Sequence, residues 1–377
     1  MMRWYFLFIL FLFSSNLFSQ PVKIDVSLRK EVEHSIQRGL QWLEKNQELD
    51  GSWGHYPAIT ALAVVSFLKS PQSVFDNKSV APEKGIQFIL SCQKDDGGIY
   101  VDDLAGYNTA ICLLALVAAD NPEYTNAIQR ARDFLLSLQW DETKGYENSE
   151  PLFGGIGYGQ KERPDLSNLQ WAIEALKESE KYKKIPESTN KEKEFSGTGK
   201  KETVLASKEL FWDNALLFIQ RCQNLKSTND RTWAGDDGGF IYSPSESKAG
   251  DYTSYGSMTY AGMKSLIYAK VQKDDKRVQA AYQWIKRHFT LEENPNMGKQ
   301  GLFYYYHTMA KSLDALGEEN IVDETGKSHS WRKEFLEKLI SLQHGDGYWL
   351  NQNNRWWENQ KTLVTAYSLI SMEYALR

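Results

Sequence analysis

Gly39-Leu40-Gln41-Trp42-Leu43-Glu44-Lys45-Asn46-Gln47 decides the fold, because its pattern returns along the chain. A small residue is followed at +3 by an aromatic, at +4 by Leu or Ile, and at +8 by Gln. The same set recurs as Gly85, Phe88, Ile89 and Gln93, as Ala131, Phe134, Leu135 and Gln139, and as Ala215, Phe218, Ile219 and Gln223. Gln47, Gln93 and Gln139 stand 46 residues apart. A fixed period of that length means one supersecondary unit stacked on copies of itself. The series continues with Ala281, Trp284, Ile285 and Phe289, where Phe replaces Gln, and ends with Phe335, Leu339 and Gln343, where Lys338 replaces the aromatic.

Around each repeat the hydrophobic period is helical. Val32, Ile36, Gly39, Leu43 and Gln47 share one face, and Glu31, His34, Arg38, Gln41 and Lys45 lie on the other, so one side meets water. The segments between repeats are apolar nearly all round, as in TALAVVSFL from Thr60 and TAICLLALVAA from Thr109, which marks helices buried on both sides. Six such inner helices are predicted: Thr60–Leu68, Asn108–Ala119, Leu166–Glu178, Ser257–Ala269, Tyr304–Leu316 and Lys361–Leu376. An outer ring of amphipathic helices around an inner ring of buried ones is an all-α, (α/α)6 toroid. Each outer helix is followed by a glycine turn: Asp50-Gly51, Asp96-Gly97, Gly145-Tyr146, Asp237-Gly238 and Asp346-Gly347. Recurrence at one place in the repeat makes these aspartates turn residues, not a catalytic or metal-binding set. Residues 181–209, rich in Lys, Glu, Ser and Thr with Pro186, read as a solvated, disordered insertion in a single toroid domain spanning 28–377.

The chain has 377 residues, is 13% aromatic and carries a formal net charge of -5, which speaks against nucleic acid as a partner. Cys92, Cys112 and Cys222 fall in apolar helical stretches and read as core thiols, with no zinc or disulfide spacing. Met1-Met2-Arg3, the apolar run Trp4 to Phe13 and the polar-tending Ser14 to Ser19 have the layout of a secretory signal peptide, residues 1–19. The expected location is therefore secreted or periplasmic. An uncleaved membrane anchor is the alternative, because Leu17 is larger than the cleavage site prefers.

With this repeat the chain resembles the terpenoid cyclase and protein prenyltransferase superfamily, whose toroids carry the Gln–Trp ("QW") repeat. It looks closer still to secreted bacterial squalene-cyclase-like proteins in Gly154–Gly159, Pro164–Asn168, Tyr255–Gly262 and Tyr304–His307. The resemblance implies an isoprenoid or other large apolar ligand in a central cavity, handled either by a divergent terpenoid cyclase or by a lipid-binding relative that has lost the acid. The catalytic groups of the family are missing, however. There is no Asp-x-Asp-Asp acid to protonate an alkene and no Asp-Asp-x-x-Asp to hold diphosphate and magnesium. Of the prenyltransferase zinc set only His307 has a counterpart, with Thr253 and Tyr255 at the Asp and Cys positions. No metal and no cofactor is expected.

What remains at the mouths of the inner helices is polar and aromatic. Asp314, His307 and Asp251 are the candidate catalytic residues: an acid inside a buried helix is costly unless paired, and His307 would be its hydrogen-bond partner. Lys311, at i−3 on the same helix, is the structural partner that could pair with Asp314. Asp165, Asn168, Tyr255, Tyr260, Tyr304, Tyr305, Tyr306, Trp356, Trp357 and Glu358 are the candidate ligand-binding residues. The plainer reading makes Asp165 and Ser167 helix N-caps and the tyrosines packing residues. Gly154–Gly159 lacks the strand before and the Lys-Ser/Thr after that a phosphate loop needs, and reads as a cavity rim. Two other classes compete: a carbohydrate-active (α/α)6 enzyme using two carboxylates, and a non-catalytic protein-interaction toroid. Association with a membrane surface is compatible with the composition, and the oligomeric state is left open.

Overall fold

The computed structural model describes residues 24–75, 79–159, 161–183 and 201–377, with side chains from Leu210 onward in the last stretch. The expected leader, 1–19, lies outside the described residues. Six outer helices are α1 (Val26–Lys45), α3 (Ala81–Ser91), α5 (Thr125–Ser137), α7 (Lys201–Arg221), α9 (Lys276–His288) and α11 (Trp331–Leu342). Six inner helices alternate with them: α2 (Pro57–Leu68), α4 (Ala105–Ala119), α6 (Leu166–Glu178), α8 (Gly256–Tyr268), α10 (Leu302–Leu316) and α12 (Lys361–Ala375). Each inner helix packs on the next, and α12 returns to pack on α2, so the ring closes as the repeat predicted. A two-stranded antiparallel hairpin, β1 (Asn320–Val322) and β2 (Ser328–Ser330), lies between α10 and α11. Helix α7 begins at Lys201, so the last part of the stretch read as an insertion belongs to an outer helix; Lys, Glu, Leu and Ala there are good helix formers.

The repeat glutamine is a clamp between successive outer helices. Gln47 donates both amide hydrogens at 2.8 Å, one to the carbonyl of Gly51 in its own turn and one to Ala81 in α3. Gln93 does the same to Gly97 and Ala127, Gln223 to Gly238 and Arg277, and Gln343 to Gly347 and Ser35. Three residues beyond each acceptor, the next helix presses its backbone onto the turn glycine. A Cβ on Gly238, whose φ is +85°, would stand 2.4 Å from the Ala280 carbonyl oxygen. Only glycine fits there, on both counts.

In the third repeat the structure corrects the turn. Gln139 donates to Gly154 at 3.0 Å, not to Gly145, and to Phe211 in α7. A Cβ on Gly154 would lie 1.9 Å from the Asn214 carbonyl oxygen, whereas Gly145 has nothing within 4 Å. Phe289, which replaces the fifth Gln, packs its ring on His329 at 4.8 Å instead. Lys338, which replaces the last aromatic, pairs with Glu292 at 2.7 Å.

After four of the outer helices the chain is tied to an inner helix, and this places the helix mouths. The backbone N–H of Trp53, Ile99, Phe240 and Trp349 donates to the hydroxyl of Thr60, Thr109, Thr259 and Thr365 on α2, α4, α8 and α12. Trp53 and Trp349 also donate their indole N–H to Leu43 and Leu339, one outer helix back. The three cysteines are free and buried, as read from the sequence.

Candidate functional site

All six inner helices bring their N-terminal ends to the same side of the ring, and there the centre is hollow. A cavity of about 310 Å³ opens between them. That is at the lower end of the range for ligand sites, about 300–1,000 Å³. Its wall is apolar and phenolic. Ile59, Leu62, Leu104, Met258 and Leu363 supply the aliphatic part, and Tyr56, Tyr107, Tyr158, Tyr242, Tyr255, Tyr304 and Tyr367 the aromatic part. Trp356 and Trp357 stand at the mouth, 42% and 44% exposed. Both sit at positive φ, and Trp357 meets Tyr56 edge-on at 4.9 Å.

The helix ends around this cavity are capped by neighbours. Asn108 on α4 accepts from the Ala58 N–H of α2 at 3.0 Å, and Asn294 accepts from Ser257 of α8 at 2.9 Å. Asp165 is the N-cap of α6, accepting from the Asn168 backbone and side-chain amides at 2.8 and 2.7 Å. Glu358 caps α10 from outside that helix, accepting from the Tyr304 N–H at 2.7 Å and the Phe303 N–H at 3.2 Å. Asn351 adds a third donor at 2.7 Å. Side-chain acceptors at these ends satisfy N–H groups that the helices cannot.

Burial sets the acidity of both carboxyls. Removal from water raises the Asp165 pKa to about 6 against the pull of the Asn168 hydrogen bonds. It raises Glu358 to about 7 in spite of its three donors. Only Glu358 of the two lines the cavity; Asp165 lies outside the lining, held by Asn168. Among the described lining residues Glu358 is the only carboxyl, and none is Lys, Arg or His.

The floor is a patch of hydroxyls. Tyr107 and Tyr367 pair their hydroxyls at 3.1 Å. Tyr304 shares its hydroxyl with Ser167 at 3.0 Å and accepts from the Gln170 amide at 3.2 Å. Below them Trp171 and His307 fill the ring, their rings 5.1 Å apart, with His307 5.0 Å from Tyr367. His307 is fully buried and neither ring nitrogen has a hydrogen-bond partner, which costs about 1–3 kcal/mol per unsatisfied group. Burial, then the nearby Lys311 ammonium, pushes its pKa well below the ordinary imidazole value, so the ring is neutral. One layer deeper, Glu174 receives both Lys264 and Lys311, the latter at 2.6 Å. Burial opposes its ionisation, but the two ammonium groups outweigh that and hold it below the usual carboxylate range. This ion triad, stacked under Trp171, closes the toroid from below.

The structure gathers some of the sequence-derived site residues and disperses others. Tyr255, Tyr304, Trp356, Trp357 and Glu358 line the cavity. Asp165 and Asn168 stand just behind its wall. Tyr260, Tyr305 and Tyr306 are packed away from it; Tyr305 and Tyr306 donate to the Thr290 and Leu291 carbonyls. His307 lies beneath the floor. Asp314 is at the far end of α10, paired with Arg332 at 3.0 Å and Arg377 at 3.4 Å, while Lys311 turns to Glu174 instead. Asp251 is an exposed loop residue with φ +43° and is not part of the cavity lining. Tyr158 brings the Gly154–Gly159 segment to the cavity wall, and its carbonyl accepts from the Gly106 N–H. Tyr107, Tyr242 and Tyr367 were missed. For Tyr107 the signal was a phenol in the first turn before the apolar run of an inner helix.

No family model matches the chain. Over 167 residues, 40% of its length, it is 27% identical to the terpene cyclase/mutase ntnI of Nectria sp.. The chain spans 22% of that protein's length. Among solved structures, the ligand-free type II terpene cyclase MstE from Scytonema matches with a TM-score of 0.51 and 14% identity, over 92% of this chain and 98% of its own. An MstE variant in complex with its substrate, geranylgeranyl dihydroxybenzoate, matches at 0.52 and 14%, over 93% and 98%. A family 76 glycoside hydrolase from a bovine Bacteroides thetaiotaomicron strain also matches, at 0.52 and 10%, over 90% and 77%. Identities this low carry the fold and leave the chemistry to the site.

Proposed function

The chain shares the α/α toroid of the terpenoid cyclase superfamily, and from that premise we propose that its cavity binds an isoprenoid or similarly large apolar ligand without cyclising it. The observation that carries this reading is the wall: aliphatic and tyrosine side chains around a cavity closed below, with one lining carboxyl. Apolar walls gain by removing a hydrocarbon from water, and phenol faces pack on it. A polysaccharide enzyme working by paired acids asks for two carboxyls across the substrate, and the lining supplies one. A pure interaction scaffold has no use for a hollow centre.

The acids argue against cyclisation initiated by protonation. Making a carbocation from an alkene needs a strong, preorganised acid aimed at it. Both oxygens of Glu358, the lining carboxyl, are already acceptors for the N-terminus of α10 and Asn351, and Asp165 is the N-cap of α6 outside the lining. The MstE complex with geranylgeranyl dihydroxybenzoate illustrates that a toroid of this kind accommodates a prenyl chain. For location, we keep the leader at 1–19 as the basis for export, tested by sequencing the N-terminus of protein recovered from its own host.

Native mass spectrometry with solvent extraction of protein from that host tests the binding reading. A retained polyprenyl or triterpene species supports it. A clean apo mass, with no uptake of geranylgeraniol or squalene added in detergent, overturns it.

A further inference from the structure

Resting on that binding reading, we infer that the ligand enters with an uncharged oxygen leading, and that the Tyr107–Tyr367 hydroxyl pair on the cavity floor receives it. Tyr107 is in the first turn of α4, and Tyr367 lies one turn further down α12, so the pair closes the deepest part of the lining. Two hydroxyls that share one hydrogen bond use one proton between them. The second proton and several lone pairs remain available. Burial holds both phenols protonated, so the spare group is a donor at any physiological pH. Tyr304 and Ser167 place two more hydroxyls beside the pair.

The charge of the leading group follows from what is missing among the described lining residues. No cation lines the cavity, and side-chain acceptors already cap four of the six helix N-termini that face it, so a diphosphate or carboxylate head would leave water with little to replace its hydration. An ammonium head would face tyrosine hydroxyls and a single carboxyl that is half-protonated near neutrality. A neutral oxygen, as in an alcohol, phenol or ketone, matches hydroxyl donors and acceptors. His307 is the second observation. It is fully buried with its ring 5.0 Å from that of Tyr367, and both its ring nitrogens lack partners, so the layer against the floor has unspent hydrogen-bonding capacity. His307 acts through Tyr367 as a positioning residue; its ring backs the phenol and sets where its hydroxyl stands.

The test is a comparison of matched ligands on the full chain. Dissociation constants are measured for geranylgeraniol, for a hydrocarbon of the same chain length, for a geranylgeranyl ketone and for geranylgeranyl diphosphate. The expected result is that the alcohol binds about ten-fold more tightly than the hydrocarbon, the worth of one hydrogen bond to a buried donor. The diphosphate binds more weakly than either. Tyr107→Phe and Tyr367→Phe each remove the alcohol preference and leave hydrocarbon binding within about two-fold, the circular dichroism spectrum confirming the fold. His307→Phe keeps hydrocarbon binding and lowers the preference for the alcohol over the hydrocarbon; an unchanged preference removes the positioning role. If hydrocarbon and alcohol bind wild-type protein equally, or the preference survives in Tyr107→Phe together with Tyr367→Phe, the floor has no such role while the cavity still binds isoprenoids. If none of the four binds, the binding reading itself fails. The ketone separates donor from acceptor: binding equal to the alcohol means the floor donates.

Discussion

Replacing Gln223 by Leu isolates what the repeat glutamine contributes. Its side chain is wholly buried, and its amide nitrogen donates to the Gly238 carbonyl at 2.9 Å and the Arg277 carbonyl at 2.8 Å. Its amide oxygen has no partner, so Leu of similar size forfeits only the two donations. They are unequal. Arg277 is in the first turn of α9 and keeps its helical acceptor role, so that loss is the net worth of one bond, about 0.5–1.5 kcal/mol. The Gly238 carbonyl is in a tight turn pressed on Ala280, and its loss is the cost of an orphaned acceptor, about 1–3 kcal/mol. The expected destabilisation is about 2–4 kcal/mol. Urea unfolding followed by tryptophan fluorescence measures it, with Gln87→Leu as an exposed control on α3 that stays within about 0.5 kcal/mol. Gln223→Glu is expected to be worse than Leu, because its acceptor oxygens would face two carbonyls. If Gln223→Leu costs no more than the control, the clamp is not what holds α7 to α9.

Three further perturbations follow from the same geometry. Gly154→Ala must destabilise far more than Gly145→Ala, since both have positive φ but only Gly154 meets a backbone oxygen; comparing soluble yield and midpoint of unfolding checks this. Glu174→Leu leaves two buried ammonium groups without a counter-charge and should cost about 3–5 kcal/mol, much of it recovered when Lys264→Met and Lys311→Met are added. Glu358 has a folded pKa near 7, above the ordinary glutamate value of 4.5, so folding retains its proton, and its contribution to stability falls as pH rises through that window. Glu358→Gln should therefore gain on wild type by about 3 kcal/mol between pH 4.5 and 7.5, whatever constant cost it brings; a gap independent of pH refutes the raised pKa.

The ring was legible because its signal is periodic: a helix with Gln at +8 must meet the next turn in the same way each time. The third turn was misplaced for a local reason. Extra residues separate Gln139 from Gly154, and Gly145 earlier in that loop has the composition of a turn without the neighbouring backbone. The cavity was half legible. Tyr304, Tyr255 and Glu358 could be found at helix mouths, but the pairing of Tyr107 with Tyr367 depends on ring closure, which brings residues 260 apart in sequence to within a hydrogen bond. Asp314 looked buried because α10 is an inner helix. It lies in the last turn, where Arg332 from α11 and Arg377 reach it, a pairing that no spacing within α10 could reveal. Glu174 and Lys264, by contrast, stood in plain view as charges within buried helices.

Parallel inner helices give this cavity an electrostatic character that bears on its chemistry. Each helix presents the positive end of its dipole there, equivalent to roughly half a unit charge before capping. The caps at four of the six mouths are two asparagines and two carboxyls whose pKa values burial has raised. Above pH 7 the carboxyls offset part of the field; below about pH 6 both are largely neutral and the field is the helices' own. In neither regime does the site provide the strong acid that would create a carbocation. Below about pH 6, with the caps neutral, it becomes least hospitable to positive charge in the same range where its carboxyls carry protons. An electron-rich, uncharged oxygen ligand is favoured in both regimes. Alcohol affinity should therefore vary little between pH 5.5 and 8, whereas binding of a geranylgeranyl amine should weaken as the pH falls; a carbocation-forming site would be expected to hold the cation at low pH.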